Sequence, residues 1–260
     1  MYVLSIPTKL NNCPEILIYR FVKIQRCQNL PFQTKEELRN LAYKENTVLP
    51  PESACCSTQD RTIEYKALRS CTLEKNDRNF IEKPLVDRLG KFLVACMNAR
   101  VNGTISFGVI DSIEDERQSH GCVKGIHVPK DKRSIVIGIV DKHFSGNNPK
   151  QFQGASPQHL RALQLCLKPP VLIPVSRHKP DEKDYVVVEF DVHPTYEVCG
   201  ASVFSIQISK PGGKKNEIER RFYLRQGASS CLWEERHYKE LLGRVQSAAR
   251  SRQVRVCKVI

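Results

Sequence analysis

At 260 residues the chain is long enough for one large domain, or for one domain with an extension. With 40 % hydrophobic and 27 % charged residues its composition is that of a globular protein, which excludes disorder over the whole length. Lys and Arg number 41 against 28 Asp and Glu, a net charge of +13. An excess of that size attracts polyanions, so nucleic acid is the leading partner and an acidic membrane surface or an acidic protein the other class.

Residues 1–47 read as an N-terminal extension. Within it 16–24 has strand character, and 34–43 predicts a short helix capped by Thr34 with Glu37 three residues on. The opening residues lack the basic region and long apolar run of a secretory signal. No stretch approaches the ~18 apolar residues of a membrane span. The eleven cysteines contain no C-x-x-C pair, which removes zinc-ribbon and thioredoxin-type sites. The expectation is a protein of the cytoplasm or nucleus with reduced thiols.

Leu49-Pro50-Pro51 and the polar run to Asp60 form a linker into a strand over 61–68. Side chains alternate along a strand, so Glu64 and Lys66 share one face while Ile63, Tyr65 and Ala67 share the other. A helix is predicted over 82–99, with Pro84 in its first turn. Ile81, Leu85, Leu89, Phe92 or Leu93, and Cys96 recur every three or four residues as a buried stripe, away from Lys83, Asp87, Arg88 and Lys91. Asn102-Gly103 is expected to supply the positive φ of a tight exit turn. In the strand that follows, Ile105, Phe107 and Val109 point one way, and Gly108 marks a bulge or a close backbone approach. Asp111 keeps the same parity at the carboxyl end. A carboxylate, an ammonium and a second carboxylate therefore meet at one sheet edge. Phosphodiester hydrolysis needs a hard cation held by carboxylate oxygens, which this pair offers; the alternative is a purely structural pairing with Lys66 or Lys91.

Residues 122–128 predict a further strand, whereas 134–144 stays open between strand and helix. Strands follow over 171–175, 185–192, 203–208 and 220–224. A last helix is predicted with Ser229 or Ser230 as its N-cap and Leu232, Leu241, Leu242 and Val245 as apolar points. On that reading Arg225 to Ser230 is a strand-to-helix turn suited to holding a phosphate. From residue 209 onward thirteen Lys or Arg face five Asp or Glu. Walker A, H-E-x-x-H and Ser or Cys nucleophile signatures are absent. The fold expectation is α+β, a mixed β-sheet with packed helices, over 48–250, followed by a basic tail over 251–260.

The Glu64-Tyr65-Lys66 strand, the helix ending in Ala95-Cys96-Met97-Asn98, and Asn102-Gly103-Thr104-Ile105-Ser106-Phe107-Gly108-Val109 leading to Asp111 together resemble the Schlafen AlbA-2 domain. The strand 185–192 and the Phe222 to Ser230 segment agree with it, and the match runs roughly from 48 to 250. Within that group the chain is most similar to the version in the sterile alpha motif domain-containing nine family of antiviral proteins. The resemblance implies a Schlafen-core-like fold and binding of double-stranded or structured nucleic acid (tRNA, dsRNA or dsDNA), in an antiviral or translation-restricting context. It implies that Glu64 and Asp111 match acidic positions that serve a metal centre in Schlafen nucleases. They are thus the candidate catalytic residues and ligands of Mg²⁺ or Mn²⁺ for tRNA cleavage. Lys66 and Lys91 match nucleic-acid contacts and Lys83 a third, while Arg88 and Arg225 are candidates by position. Schlafen nucleases carry a further Glu five residues before the first-strand Glu. Here position 59 is Gln, and Asp60 is the candidate replacement. A binding module and a metal-dependent endoribonuclease both remain open, as does a protein-interaction domain without nuclease activity.

Overall fold

The computed structural model describes residues 42–52, 61–68, 78–111, 119–145, 149–152, 155–177, 184–209 and 218–259. Asp60, the strand expected over 16–24 and most of the helix expected over 34–43 lie outside them. The architecture is α+β. Strand β1 (Tyr43–Lys44) is followed by β2 (Arg61–Lys66), helix α1 (Arg78–Ala99) and β3 (Asn102–Phe107). Strands β2 and β3 are parallel, with Glu64 opposite Ile105 and Lys66 opposite Phe107. Parallel neighbours need a crossover connection, and α1 supplies it. The helix begins earlier than its periodicity suggests, so Pro84 sits inside it and forfeits one backbone hydrogen bond. Full burial of Leu85, Leu89, Phe92, Leu93 and Cys96 holds the helix in place regardless.

The exit from α1 corrects the expectation at Asn102-Gly103. The left-handed residue is Arg100, with φ 56°. Val101 N–H donates to Cys96 O at 3.2 Å and Arg100 N–H to Met97 O at 3.4 Å, the paired bonds of a Schellman cap. The Arg100 guanidinium is buried and donates to the carbonyls of Met97, Gly200 and Ser202, which fixes a conformation that arginine alone would disfavour. Gly103 has another purpose: a Cβ there would stand 2.6 Å from the Phe92 ring and 2.7 Å from Cys96 Sγ. Its hydrogen side chain lets α1 lie directly on the sheet.

Strand β4 (Ile126–His127), α2 (Arg133–Val140), α3 (Pro157–Cys166), β5 (Val171–Ser176) and β6 (Tyr185–Val192) complete the first layer. The segment left open over 134–144 is helical, closing in a π-turn over Asp141–Ser145. The expected strand over 122–128 is reduced to isolated bridges at Cys122 and Val123 and the short β4. The sheet order is β1-β5-β6-β3-β2, with β4 also paired to β6. One face packs under α1. The other carries a buried polar ladder in which Thr104 donates to Asp191 at 2.6 Å and Tyr43 and Ser106 donate to Glu189 at 2.6 and 3.3 Å. At the free edge Glu52 accepts from Tyr65 N–H at 3.2 Å, which blunts an otherwise open strand.

After the short α4 (Tyr196–Cys199), strands β7 (Ile206–Ser209), β8 (Ile218–Gln226) and β9 (Ser229–Trp233) form a second, antiparallel sheet, and α5 (Tyr238–Val259) ends the chain. Ser229 and Ser230 therefore belong to a strand and cap no helix. Gly227, at φ 58°, opens a two-residue hairpin turn between β8 and β9. Alternation along β8 turns Tyr223 towards the core around α1, while Phe222 and Leu224 meet Leu241 and Val245 of α5. Asn98, fully buried on α1, joins the layers: it donates to Phe204 O at 2.9 Å and Tyr223 O at 2.8 Å and accepts from Phe204 N–H at 2.8 Å.

Candidate nucleic-acid interface

Glu64 and Thr62 point from β2 towards the β8–β9 hairpin, and the hairpin answers with Arg225 and Ser230. Arg225 donates through Nη1 to Glu64 and, at 2.9 Å, to Ser230 Oγ. Its Nη2 donates to Thr62 Oγ1 at 2.7 Å. Ser230 Oγ in turn donates to Glu64 Oε2 at 3.1 Å. The guanidinium lies over the Phe92 ring, 5.1 Å from its centroid, and the arginine side chain is only 2 % exposed. Arg225 was a candidate phosphate contact. The structure instead buries it as the anchor that sets the position of Glu64.

Lys66 Nζ stands between the two candidate carboxylates, 3.3 Å from Glu64 Oε1 and 2.9 Å from Asp111 Oδ2. Asp111 reaches this point because Gly108, at φ 101°, bends the chain after β3 while its N–H extends the ladder to Lys66 O at 2.7 Å. A Cβ at Gly108 would meet Gly125 Cα at 3.0 Å, so the glycine serves both the turn and a close backbone approach. Asp111 Oδ1 accepts from Ala67 N–H at 3.1 Å, and Arg88 lies 3.7 Å from Oδ2. Burial pushes the Asp111 carboxyl up, but the bond and charge of Lys66, the Ala67 N–H and the Arg88 charge together hold it below 3.8. Arg88 is 40 % exposed, Lys83 is exposed and Lys91 half-buried. Neither lysine has an ion-pair partner among the described residues. The cluster thus sets Lys66, Arg88 and Arg225 against Glu64 and Asp111, an excess of positive charge open to solvent along α1.

A divalent cation asks for several oxygen ligands free to turn towards it. Here an ammonium already occupies the space between the carboxylates, and both carboxylates are saturated by donors. Among the described residues, Glu52 is a further carboxylate near β2, and it is bonded to Tyr65 N–H and His120. Among the described residues no group of three or more His, Cys, Asp or Glu could hold a metal ion. As arranged here, the described donors Glu64 and Asp111 do not fit Mg²⁺ or Mn²⁺. Strand parity finds Glu64 and Lys66 and implies Thr62 as well, whereas Asp111, expected from the same parity, is brought in by the bend at Gly108 after β3 has ended. Ser230 was out of reach while its segment read as a helix cap.

Fold and site define an α+β domain with a cation-bridged acidic pair beneath a basic helix face. The chain is similar to part of sterile alpha motif domain-containing protein 9 and of its 9-like relative. It is 29 % identical over 208 residues to Homo sapiens sterile alpha motif domain-containing protein 9 and 28 % identical over 207 residues to the Mus musculus 9-like protein. Each alignment covers 78 % of this chain and 12 % of the relative, so the chain spans about an eighth of the length of the curated relatives it matches. No protein-family model matches it.

Proposed function

We propose that this surface binds the phosphate backbone of double-stranded or structured nucleic acid, with little reading of sequence, in the antiviral setting that the family resemblance implies. The observation that carries the reading is the row of uncompensated or half-compensated cations on α1 (Lys83, Arg88 and Lys91) beside a site whose acidic pair is internally neutralised. Phosphate is attracted by that balance, and cations of this kind position a duplex without specifying bases. Lys66 and Arg225 act behind them, holding the carboxylates so that they do not repel the strand. Cleavage of tRNA with Mg²⁺ or Mn²⁺ is the second outcome the experiment distinguishes.

Duplex RNA and DNA are titrated with the 260-residue chain at about 50 and 200 mM salt. Binding that weakens steeply with salt is expected, and a Lys83→Ala/Arg88→Ala/Lys91→Ala variant should flatten the log–log slope by roughly one unit per lost contact. Duplex binding absent at ~50 mM salt, or indifferent to salt, overturns the proposal. Total tRNA incubated with Mn²⁺ should emerge intact; fragments that disappear in Asp111→Asn would establish the nuclease instead.

A further inference from the structure

A cavity of about 460 Å³ opens between α3, the β7–β8 pair and the start of α5. That size falls in the range of small-molecule sites. From the second sheet it takes Arg220 and Phe222, which lie on the face of β8 opposite Tyr223 and Arg225, while Phe152, Leu163 and Phe204 bring the edge of the core around α1 to it. Two aromatic pairs contribute to its wall: His159 with Phe204, ring centroids 5.1 Å apart, and Phe222 with Tyr238, 5.5 Å apart. Arg220 and Glu235 supply the charges. Arg220 is exposed, and its guanidinium makes no hydrogen bond or ion pair with any described residue.

We propose that this cavity is a nucleotide site, which takes a nucleobase against its aromatic wall and the attached phosphate on Arg220. The reasoning is chemical. An unpaired guanidinium asks for an anion, phosphate above all. Aromatic rings ask for a flat π-surface, and base stacking on them tolerates every base. An apolar ligand would leave Arg220 unanswered, and a bare inorganic anion would leave the rings unused. Burial, and then the neighbouring Arg220 charge, push the His159 imidazole below 6.5. The ring is therefore neutral at pH 7, with one donor and one acceptor for a base edge, and adds no charge to those of Arg220 and Glu235. The same chemistry is presented by a free nucleotide and by an unpaired nucleotide of a longer strand.

The 260-residue chain is titrated by calorimetry with AMP, GMP, CMP and UMP, with the corresponding nucleosides, with inorganic phosphate, and with a short single-stranded oligonucleotide. Monophosphates are expected to bind more tightly than nucleosides and more tightly than phosphate alone. Arg220→Ala, at an exposed position, should keep the thermal melt of the parent and weaken nucleotide binding at least tenfold; His159→Ala should weaken it several-fold. The Lys83→Ala/Arg88→Ala/Lys91→Ala variant should bind monophosphates as the parent does, which separates this site from the duplex-binding surface. Binding of the oligonucleotide alone, lost in Arg220→Ala, supports the proposal and identifies the source as a strand. No binding of any nucleotide or oligonucleotide, or binding unchanged in Arg220→Ala, overturns it.

Discussion

With its guanidinium wedged between Phe92, Thr62, Ser230 and Glu64, Arg225 is a buried charge whose partner is itself largely buried. Removing one member of such a pair leaves the other uncompensated, so Arg225→Ala should lower unfolding free energy by about 3–5 kcal/mol in a denaturant titration. Arg225→Lys should restore only part, because an ammonium cannot span Thr62, Ser230 and Glu64 at once. Glu64→Gln carries the reverse penalty, which makes it a poor probe of function. Asp111 is the cleaner probe, and it titrates in a defined sense. Its folded-state pKa lies below 3.8, so its contribution is present above that value and is lost as pH falls through the lowered one. Asp111→Asn should flatten the acid limb of stability against pH and leave the profile above neutrality unchanged. An acid limb of the same slope in both proteins would remove Asp111 from the account.

Elements were legible where local pattern and packing agree. The run Tyr185–Val192 reads as a buried strand and is one, since seven consecutive residues after Tyr185 are inside. Arg220 to Leu224 likewise lies within β8. Legibility fails where a residue's reason is tertiary. Asn102-Gly103 looks like a turn, because nothing local reveals that Phe92 and Cys96 will press on position 103. Arg100 does not look like a helix C-cap, because the carbonyls that stabilise it come from a segment about a hundred residues away. Gly103→Ala tests this view: overpacking beneath α1 should cost about 1–3 kcal/mol in spite of the better strand propensity of alanine. A variant as stable as the parent would show that the helix can lift from the sheet at little expense.

At the scale of the molecule, the site is half local and half not. Parity along β2 was enough to put Glu64 and Lys66 together, while Asp111 joins them through the bend at Gly108 that follows β3. The anchoring of Glu64 depends on a second sheet whose hairpin register no spacing rule disclosed. The charge is similarly divided. Helix α5 buries Leu241, Val245 and Ala249 and turns Lys239, Arg244 and Arg250 to solvent, so the basic excess read from residue 209 onward is carried largely by a helix and extends the positive field beyond α1. Neutralising Lys239 and Arg250 should therefore slow association with a duplex at low salt and leave dissociation nearly unaltered, as expected of charges that steer rather than grip. Stopped-flow mixing at two salt concentrations reads both rates.

Asn98 has a consequence in time. Its amide is satisfied only when α1, the segment at Phe204 and β8 are all assembled, over sequence separations of 106 and 125 residues. None of the three can open without exposing the others' polar groups, so the two sheets should exchange hydrogen as one cooperative unit. The amide of Phe204, which belongs to neither helix nor strand, would then exchange as slowly as the central amides of β6. In Asn98→Ala it should become fast, and β8 should begin to open ahead of the larger sheet.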